Sequence, residues 1–251
     1  MRRNACMIGV MAKAPQPGRA KTRLLPLLSA DAAAELSGAF LRDVTENIRL
    51  AAEAVPIDGC IAYAPVGQEA LFAGHLAEGT SLLLADGSVP MPPRVQGLGR
   101  CLLHAVQSML ALGYAACCVL NADGPTLPTA VLRQAAAALL APGERVVVGP
   151  AEDGGYYLLG MTRPHAHLFE DIAWSTDRVA AATRDRAREL GLEVVELSCW
   201  YDVDDEASLL RLIEAMREPE TDAPFTPYSA PHTAACLARL GLLSPLQQAA
   251  P

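Results

Sequence analysis

Both lysines of this 251-residue chain lie in one short segment, residues 13–23, which reads K-A-P-Q-P-G-R-A-K-T-R. The other 18 fixed cations are arginines, so the chain uses arginine wherever it needs only positive charge. An ammonium on a flexible stem is a compact point charge, whereas a guanidinium is a rigid planar fork. The first 30 residues carry six cations and no carboxylate, although the net charge of the chain is −8. This local reversal of sign predicts a loop that binds an anion such as a phosphate.

The basic loop does not match the known phosphate-binding loop of P-loop kinases. Gly18 lets the backbone approach a ligand closely, and two prolines limit the freedom of the loop. A Walker A loop needs Gly-Lys-Ser/Thr in succession, but two residues separate Gly18 from Lys21. We expect the loop to be solvated, so that Lys21→Ala weakens nucleotide binding and leaves stability nearly unchanged. The alternative interpretation is that the loop is only a solvated basic segment and binds no ligand.

An acidic residue follows the most apolar segment of the chain. Residues 121–128 read N-A-D-G-P-T-L-P and come directly after the apolar run 115–120. Because Mg²⁺ prefers one or two carboxylates together with phosphate oxygens, Asp123 is a candidate metal ligand. The alternative is a turn in which Asp and Gly serve the backbone only.

Two further acidic segments lie later in the chain. Residues 152–157 read E-D-G-G-Y-Y, which suits either a hairpin turn or the recognition of a polar substrate. Residues 200–205 read W-Y-D-V-D-D. In an extended chain Asp202 and Asp204 share one face and Val203 takes the other, so either of the two could supply a second metal carboxylate. Acidic residues before a helix are also favourable without any function.

Other chemistry is disfavoured by the composition and the motifs. The five histidines do not form a zinc set, and G-x-S-x-G and G-x-G-x-x-G are both absent. A pI near 5.1 argues against nucleic acid as a partner. We expect no membrane span, because the longest apolar run is residues 109–120, and no signal peptide. Seven cysteines without C-x-x-C spacing favour a reduced, cytoplasmic location.

The segments that position these residues alternate between strand and helix patterns. We predict strands at 6–12, 59–64, 81–85, 115–121, 146–149, 156–160 and 193–197. We predict helices at 30–54, 100–112, 129–140, 175–190 and 205–216. This alternation predicts a three-layer α/β/α fold with a mainly parallel sheet. Ligands of such sheets bind beyond the carboxyl ends of the strands, where all four candidate segments fall.

The composition changes after residue 217. We predict one domain over residues 1–217 and a proline-rich tail over residues 218–251. The tail contains a short helix at 234–240, with Thr233 as its N-cap and Gly241 as its stop. It is either a surface tail or a dimerisation element, so a homodimer stays open.

Together these segments resemble the nucleotide-diphospho-sugar transferase superfamily, which has the GT-A (Rossmann-like) fold. The closer resemblance is to the bacterial DUF2064 family of transferases associated with radical-SAM and selenodomain proteins. The basic loop is also similar to the K-P-x-x-x-A-K-S-R-L opening of 2-phospholactate guanylyltransferases. The matching segments are Q-G-L-G-R at 96–100, N-A-D-G-P-x-L-P at 121–128, D-G-G-Y-Y-L-L-G at 153–160, W-S-T at 174–176 and W-Y-D-V-D at 200–204. The chain departs from the family where Asn-Ala replaces Gly-Ser, and where D-V-D-D-E-A-S-L replaces D-V-D-T-x-x-D-L.

The resemblance implies roles for three groups of residues. Those expected to bind the nucleotide and its phosphates are Ala12, Lys13, Gly18, Arg19, Lys21, Gln96, Gly97 and Arg100. Those expected to bind the acceptor substrate are Asp153, Gly154, Gly155, Tyr156, Trp174 and Ser175. Asp123 and Asp204 would hold Mg²⁺ or Mn²⁺, and Lys13 and Lys21 would stabilise charge at the attacked phosphorus.

The leading functional prediction is a metal-dependent nucleotidyltransferase that uses a nucleoside triphosphate and a small-molecule acceptor. Such chemistry is mostly positioning and electrostatics, and needs no nucleophilic side chain. A glycosyltransferase with a nucleotide-sugar donor and a non-catalytic nucleotide-binding protein are the alternatives. The four cations of the basic loop favour the triphosphate donor, because a pyrophosphate leaving group concentrates negative charge.

Overall fold

Seven strands form one sheet in the order β3-β2-β1-β4-β6-β5-β7 in a computed structural model that describes residues 3–218 and 225–243. The strands are β1 (Arg3–Ala12), β2 (Ile57–Tyr63), β3 (Ser81–Leu84), β4 (Tyr114–Asn121), β5 (Arg145–Pro150), β6 (Tyr156–Met161) and β7 (Glu193–Glu196). The helices are α1 (Ala30–Ala51), α2 (Leu98–Ala111), α3 (Thr129–Leu140), α4 (Val179–Glu189), α5 (Glu206–Arg217) and α6 (Pro231–Arg239). The predicted α/β fold with a mainly parallel sheet is confirmed.

One strand runs against the other six. β6 pairs antiparallel with β4 and with β5, whereas every other strand pair is parallel. The carboxyl ends of six strands therefore meet at one edge of the sheet. The turn between β5 and β6 lies at that same edge. All four candidate segments consequently come to one side of the molecule.

Helices cover both faces of the sheet, which makes three layers. On β4, Cys118 and Leu120 pack in one apolar cluster with side chains of α1 and α3. Cys117 and Val119 point to the other face and pack in a second cluster, under α2. This alternation explains why β4 is apolar on every side until its last residue, because a sheet covered on both faces offers no polar side.

The helix boundaries have local causes. Ser29 begins α1, and its side chain accepts a hydrogen bond from the Ala32 amide at 3.1 Å, as predicted for an N-cap. Asp205 begins α5 through a capping box with Ser208. α4 begins at Val179, later than the predicted residue 175. The reason is that Ser175 takes a left-handed backbone conformation, with φ of 63°, which cannot belong to a right-handed helix.

The end of the chain folds back on α1, in a way the sequence pattern did not predict. α6 begins at Pro231, so Thr233 lies inside the helix and the prediction of Thr233 as N-cap is wrong. The Asp43 carboxylate of α1 instead accepts hydrogen bonds from the first amides of α6. The distances are 3.1 Å from the His232 amide and 2.6 Å from the Thr233 amide. Asp43 is fully buried, and burial raises the pKa of its carboxyl.

The predicted boundary at residue 217 stays a prediction. Residues 219–224 and 244–251, which belong to the predicted proline-rich tail, lie outside the described residues. Before α6, the Tyr228 amide donates to the Thr126 carbonyl at 3.0 Å, so this segment runs beside the loop that carries Asp123.

Among the described residues, none of the helices combines the length and the apolar character that crossing a bilayer demands.

We predict that Asp43→Ala lowers the free energy of unfolding by about 1–2 kcal/mol, because it removes the cap of α6. Hydrogen exchange measured by mass spectrometry should show faster exchange in residues 231–239. Asp31→Ala, at an exposed position in the first turn of α1, is the control and should change stability by less than about 0.5 kcal/mol. Unchanged protection of α6 in Asp43→Ala would show that this cap does not hold the helix.

Candidate nucleotide and metal site

A cleft of about 360 Å³ lies at the carboxyl edge of the sheet, between the basic loop, the Asp123 loop and α1. Its charged side chains are those of Lys13, Arg19, Lys21, Arg23, Asp123 and Asp204. The rest of the lining consists of Met11, Ala12, Ala20, Thr22, Ser37, Leu41 and Ala122. The two lysines and the two candidate metal ligands, which are up to 191 positions apart in sequence, thus line one cleft.

Lys21 is the centre of the cleft. Its ammonium forms a direct ion pair with Asp123, donates to the Val203 carbonyl at 2.6 Å and lies 3.7 Å from Asp204 Oδ1. The same Nζ sits 4.8 Å from the centre of the Phe40 ring, which adds a cation–π contact. Only 7% of the Lys21 side chain is exposed. Lys21 therefore joins three segments that are distant in sequence.

The expectation that the loop is solvated is wrong for Lys21. Its side chain is buried, and the residue takes a left-handed backbone conformation, with φ of 48°, before the short 3-10 turn Thr22–Leu24. Such a conformation is strained for a residue with a Cβ, and contacts made elsewhere must offset the cost. Lys21→Ala should therefore destabilise the protein as well as weaken nucleotide binding.

The other cations of the cleft behave as the sequence predicted. Lys13, Arg19 and Arg23 are exposed, and within the described ranges none of them has a carboxylate within 4.0 Å. Their charge is therefore not neutralised by a close protein partner. Gly18 lies in the turn before Arg19 and is not part of the cleft lining.

Two carboxylates converge on one cation in this cleft. Asp123 keeps 33% of its side chain exposed and Asp204 keeps 46%, so both remain open to a ligand. The described residues contain no group of three or more His, Cys, Asp or Glu side chains suited to a metal ion. Two carboxylates completed by phosphate oxygens are nevertheless a usual set for Mg²⁺. The donor set therefore fits a hard divalent cation held jointly with a phosphorylated ligand.

Asp202, the alternative to Asp204 as the second metal carboxylate, has a strongly raised pKa. It accepts a hydrogen bond from the Asn121 amide at 2.6 Å. Burial raises the pKa of Asp202 to about 7, and the charges of Asp123 and Asp204 act in the same direction. The pKa of Asp204 is also raised, first by burial and then by the charge of Asp123. Val203 points the other way and is fully buried, as the predicted alternation requires.

The turn between β5 and β6 forms a second wall of the edge. The Gly155 amide donates to Asp153 Oδ1 at 2.8 Å, which closes the turn. Gly154 has φ of 86°, and a Cβ there would lie 2.1 Å from the Asp177 carbonyl oxygen. Only glycine permits this close approach to the start of α4. The hairpin interpretation of this segment is confirmed, and contact with a substrate stays a prediction.

The segment before α2 and the Trp174 segment are joined to each other. Trp174 Nε1 donates to the Gln96 carbonyl at 3.1 Å. Gly97 has φ of 55°, and a Cβ there would lie 3.3 Å from the indole ring. Arg100 donates to the carbonyls of Gly87 and Val89, so it holds the loop after β3. Nucleotide contact by this segment stays a prediction.

The two tyrosines of the β6 segment point to opposite faces of the sheet. Tyr157 is buried and donates to the Ser198 carbonyl at 2.8 Å. Tyr156 packs beside Trp174 against the cluster under α2, and burial raises the pKa of its hydroxyl. Within the part of the chain that the structure describes, this buried hydroxyl has no hydrogen-bond partner. Its predicted role in substrate binding is untested.

The family model described as "Uncharacterized protein conserved in bacteria (DUF2064)" matches residues 47–176, which is more than half of the chain. The chain belongs to the DUF2064 family. The resemblance stated from the motifs is therefore confirmed. The matched part contains Asp123 and Trp174, whereas the basic loop and Asp204 lie outside it.

Solved structures extend the similarity of this DUF2064 protein to the whole chain. A protein from Desulfovibrio desulfuricans G20, described as a nucleotide-diphospho-sugar transferase, is 26% identical with a TM-score of 0.71, and the match covers 96% of this chain and 98% of that one. A CMP:2-keto-3-deoxy-manno-octonic acid synthetase complexed with CTP is 12% identical with a TM-score of 0.53, over 86% of this chain and 100% of that one. The second similarity shows the fold alone. No curated protein matches the chain significantly.

A charged network holds the segment that precedes Trp174. His167 lies between two carboxylates, with Nδ1 2.8 Å from Glu170 and Nε2 2.6 Å from Glu189. Arg94 forms an ion pair with Asp171 in the same segment. Both ring nitrogens of His167 can donate only when the imidazole is protonated. The hydrogen bond to Glu170, and then that to Glu189, accordingly raises the pKa of His167.

We predict that this network makes stability depend on pH. Because the folded-state pKa of His167 is raised, its contribution is complete below the unfolded pKa of about 6.5 and is lost as pH rises through the folded-state value. The loss is at most about 1 kcal/mol for a partly exposed pair, or about 2–4 °C in the melting temperature. Melting curves above pH 6.5 should show this decline in the native protein and a smaller one in His167→Gln. Identical declines in both proteins would exclude His167 as the cause.

Proposed function

We propose that this protein is a divalent-metal-dependent nucleotidyltransferase that uses a nucleoside triphosphate and a small-molecule acceptor. The observation that carries the proposal is that four cations and two carboxylates from three distant segments line one cleft. The family and the whole-chain similarity to a nucleotide-diphospho-sugar transferase support a transferase activity.

Three cations with unneutralised charge are available to the phosphates. Lys13, Arg19 and Arg23 line the cleft, are exposed and make no close ion pair with a described carboxylate. The guanidinium groups can bind phosphate oxygens in a bidentate way, and the ammonium of Lys13 can follow the phosphorus as its geometry changes. We assign Lys13 to the charge that develops at the attacked phosphorus, together with Lys21.

The number of cations favours a triphosphate donor over a nucleotide sugar. A triphosphate carries a charge of about −4 and leaves as pyrophosphate, whereas a nucleotide sugar carries about −2, and electrostatic stabilisation is most effective where charge develops in the transition state. All four cations of the loop line the cleft, which supports the higher count. If Arg19 and Arg23 point to solvent, the count falls to two and no longer separates the two donors. A glycosyltransferase that uses the same cleft is the second candidate.

Asp123 and Asp204 are the residues that would hold Mg²⁺ or Mn²⁺. When bound, such an ion neutralises phosphate charge and orients the leaving group. The Asp123 backbone is fixed by a hydrogen bond from the Val203 amide to its carbonyl at 2.9 Å, so the loop of one ligand is tied to the segment of the other. A protein that only binds nucleotides would not need this second carboxylate.

The acceptor would lie on the side of the Asp153 turn and Trp174. The turn places two glycine positions at the carboxyl edge, and the half-exposed indole of Trp174 offers a flat apolar surface. Both features suit a small polar molecule with an apolar part. We infer no particular acceptor.

We predict pyrophosphate release when the protein is incubated with Mg²⁺, mixed nucleoside triphosphates and phosphorylated acceptors. Asp123→Asn should reduce this rate about 100-fold or more, as expected when one group that stabilises transition-state charge is lost. Asp185→Asn, on the exposed side of α4 and paired with Arg188, is the control and should keep the native rate. Sugar transfer from nucleotide sugars without any pyrophosphate would favour the glycosyltransferase.

We also predict that the two lysines respond differently to truncation. Lys13→Ala should weaken nucleotide binding by about 1.5–3 kcal/mol, which is typical of a bond to a charged group, and leave the melting temperature unchanged. Lys21→Ala should weaken binding and also lower the free energy of unfolding by about 1.5–3 kcal/mol, because its carboxylates lose their partner. Calorimetry of binding and thermal melts of both variants measure the two effects. Equal nucleotide affinity in Lys13→Ala would remove Lys13 from the site.

A further inference from the structure

Lys21 already occupies the position that the two carboxylates offer to a cation. Its Nζ is in direct contact with Asp123, 3.7 Å from Asp204 and buried from solvent. A divalent ion bound by both carboxylates would have to stand where this ammonium stands. Ammonium and metal are both cations, so they would repel each other strongly if both lay between the two carboxylates. The two cannot share the position.

Buried neighbours fix the backbone on both sides of Lys21. Ala20 and Leu24, on either side of the left-handed residue, are both buried and fix the backbone. Release of the ammonium would therefore require rotation of the Lys21 stem and no unfolding of the loop. The side on which it would emerge is the cleft, which is lined by Lys13, Arg19 and Arg23.

We propose that the divalent cation displaces the Lys21 ammonium from Asp123 and Asp204, and that the displaced ammonium then binds the donor phosphates. This inference rests on the proposed function, since it takes the phosphates and the metal as ligands of the same cleft. No covalent bond changes in this exchange. Lys21 acts as the counter-ion of the two carboxylates in the free protein and as a phosphate ligand in the loaded one.

The exchange couples the two ligands. The metal releases a cation that strengthens phosphate binding, and the phosphates hold that cation away from the carboxylates. By linkage, each ligand must then tighten the binding of the other by the same factor. The ion pair also keeps two neighbouring carboxylates from repelling each other before the metal arrives.

The presence of only two lysines gives a direct test on the native protein. Lys13 is exposed and Lys21 is buried, so an amine-acetylating reagent should modify Lys13 quickly and Lys21 slowly. Mass spectrometry of the peptides gives both rates in one sample. Mg²⁺ alone should raise the Lys21 rate several-fold and leave the Lys13 rate unchanged. A Lys21 rate that does not change at saturating Mg²⁺ concentrations would overturn the exchange.

A second measurement uses Mn²⁺ binding without nucleotide, followed by electron paramagnetic resonance. Lys21→Met keeps an unbranched stem but removes the competing charge. Mn²⁺ should therefore bind this variant at least about tenfold more tightly than it binds the native protein. Arg23→Met removes a cation of the same cleft that has no close carboxylate, and should change the affinity much less. Equal gains in both variants, or no gain in Lys21→Met, would contradict displacement.

These tests separate the inference from the proposed function. Labelling and Mn²⁺ binding need neither a nucleotide nor an acceptor, so they can succeed even if no pyrophosphate is formed. Pyrophosphate formation by a protein whose Lys21 is never released by Mg²⁺ would leave the function standing and remove the exchange. If Mn²⁺ binds neither to the native protein nor to Lys21→Met, the exchange is wrong.

Discussion

The ion pair between Lys21 and Asp123 is the contact on which the organisation of the site depends. A buried ammonium requires negative partners, because an uncompensated charge out of water is costly. Asp123, Asp204 and the Val203 carbonyl meet that requirement from two separate loops. The strained backbone of Lys21 is tolerated for the same reason, since these contacts offset its cost. The basic loop is consequently fastened to the acidic side of the cleft at one point.

The reversed strand β6 has a comparable influence on the sheet. If β6 were parallel to β5, the connection between them would have to cross to the opposite edge and return. Because it is antiparallel, the link is a short turn that stays at the carboxyl edge. The turn thereby brings Asp153 and its glycines to the edge that carries Lys21 and Asp123. The reversed strand thus adds one loop to the carboxyl edge without the long connection that a parallel strand would need.

The end of the chain contributes to the support of the site. Residues 225–243 first pass the Thr126 carbonyl, which accepts a hydrogen bond from them. They then place α6 against α1, where Asp43 accepts hydrogen bonds from the first amides of α6. α6 shares an apolar cluster with α1 and α5 that also contains Leu24, the buried end of the 3-10 turn after Lys21. Packing far from the cleft thus fixes the backbone that carries the central ammonium.

The sequence by itself determined the alternation of strands and helices, because β4 is apolar on both faces and α1 repeats apolar residues at helical spacing. It also determined which segments matter, since the lysines are confined to one loop and Asp123 follows the most apolar strand. Only the tertiary structure decided that Lys21 is buried, that Asp43 caps α6 and that Asp202 has a raised pKa. The first two depend on partners more than 100 positions away in the chain, and the third on burial and on the charge of Asp123 from another loop. Burial and charge at such sites are properties of the packed assembly, and no local pattern of residue types contains them.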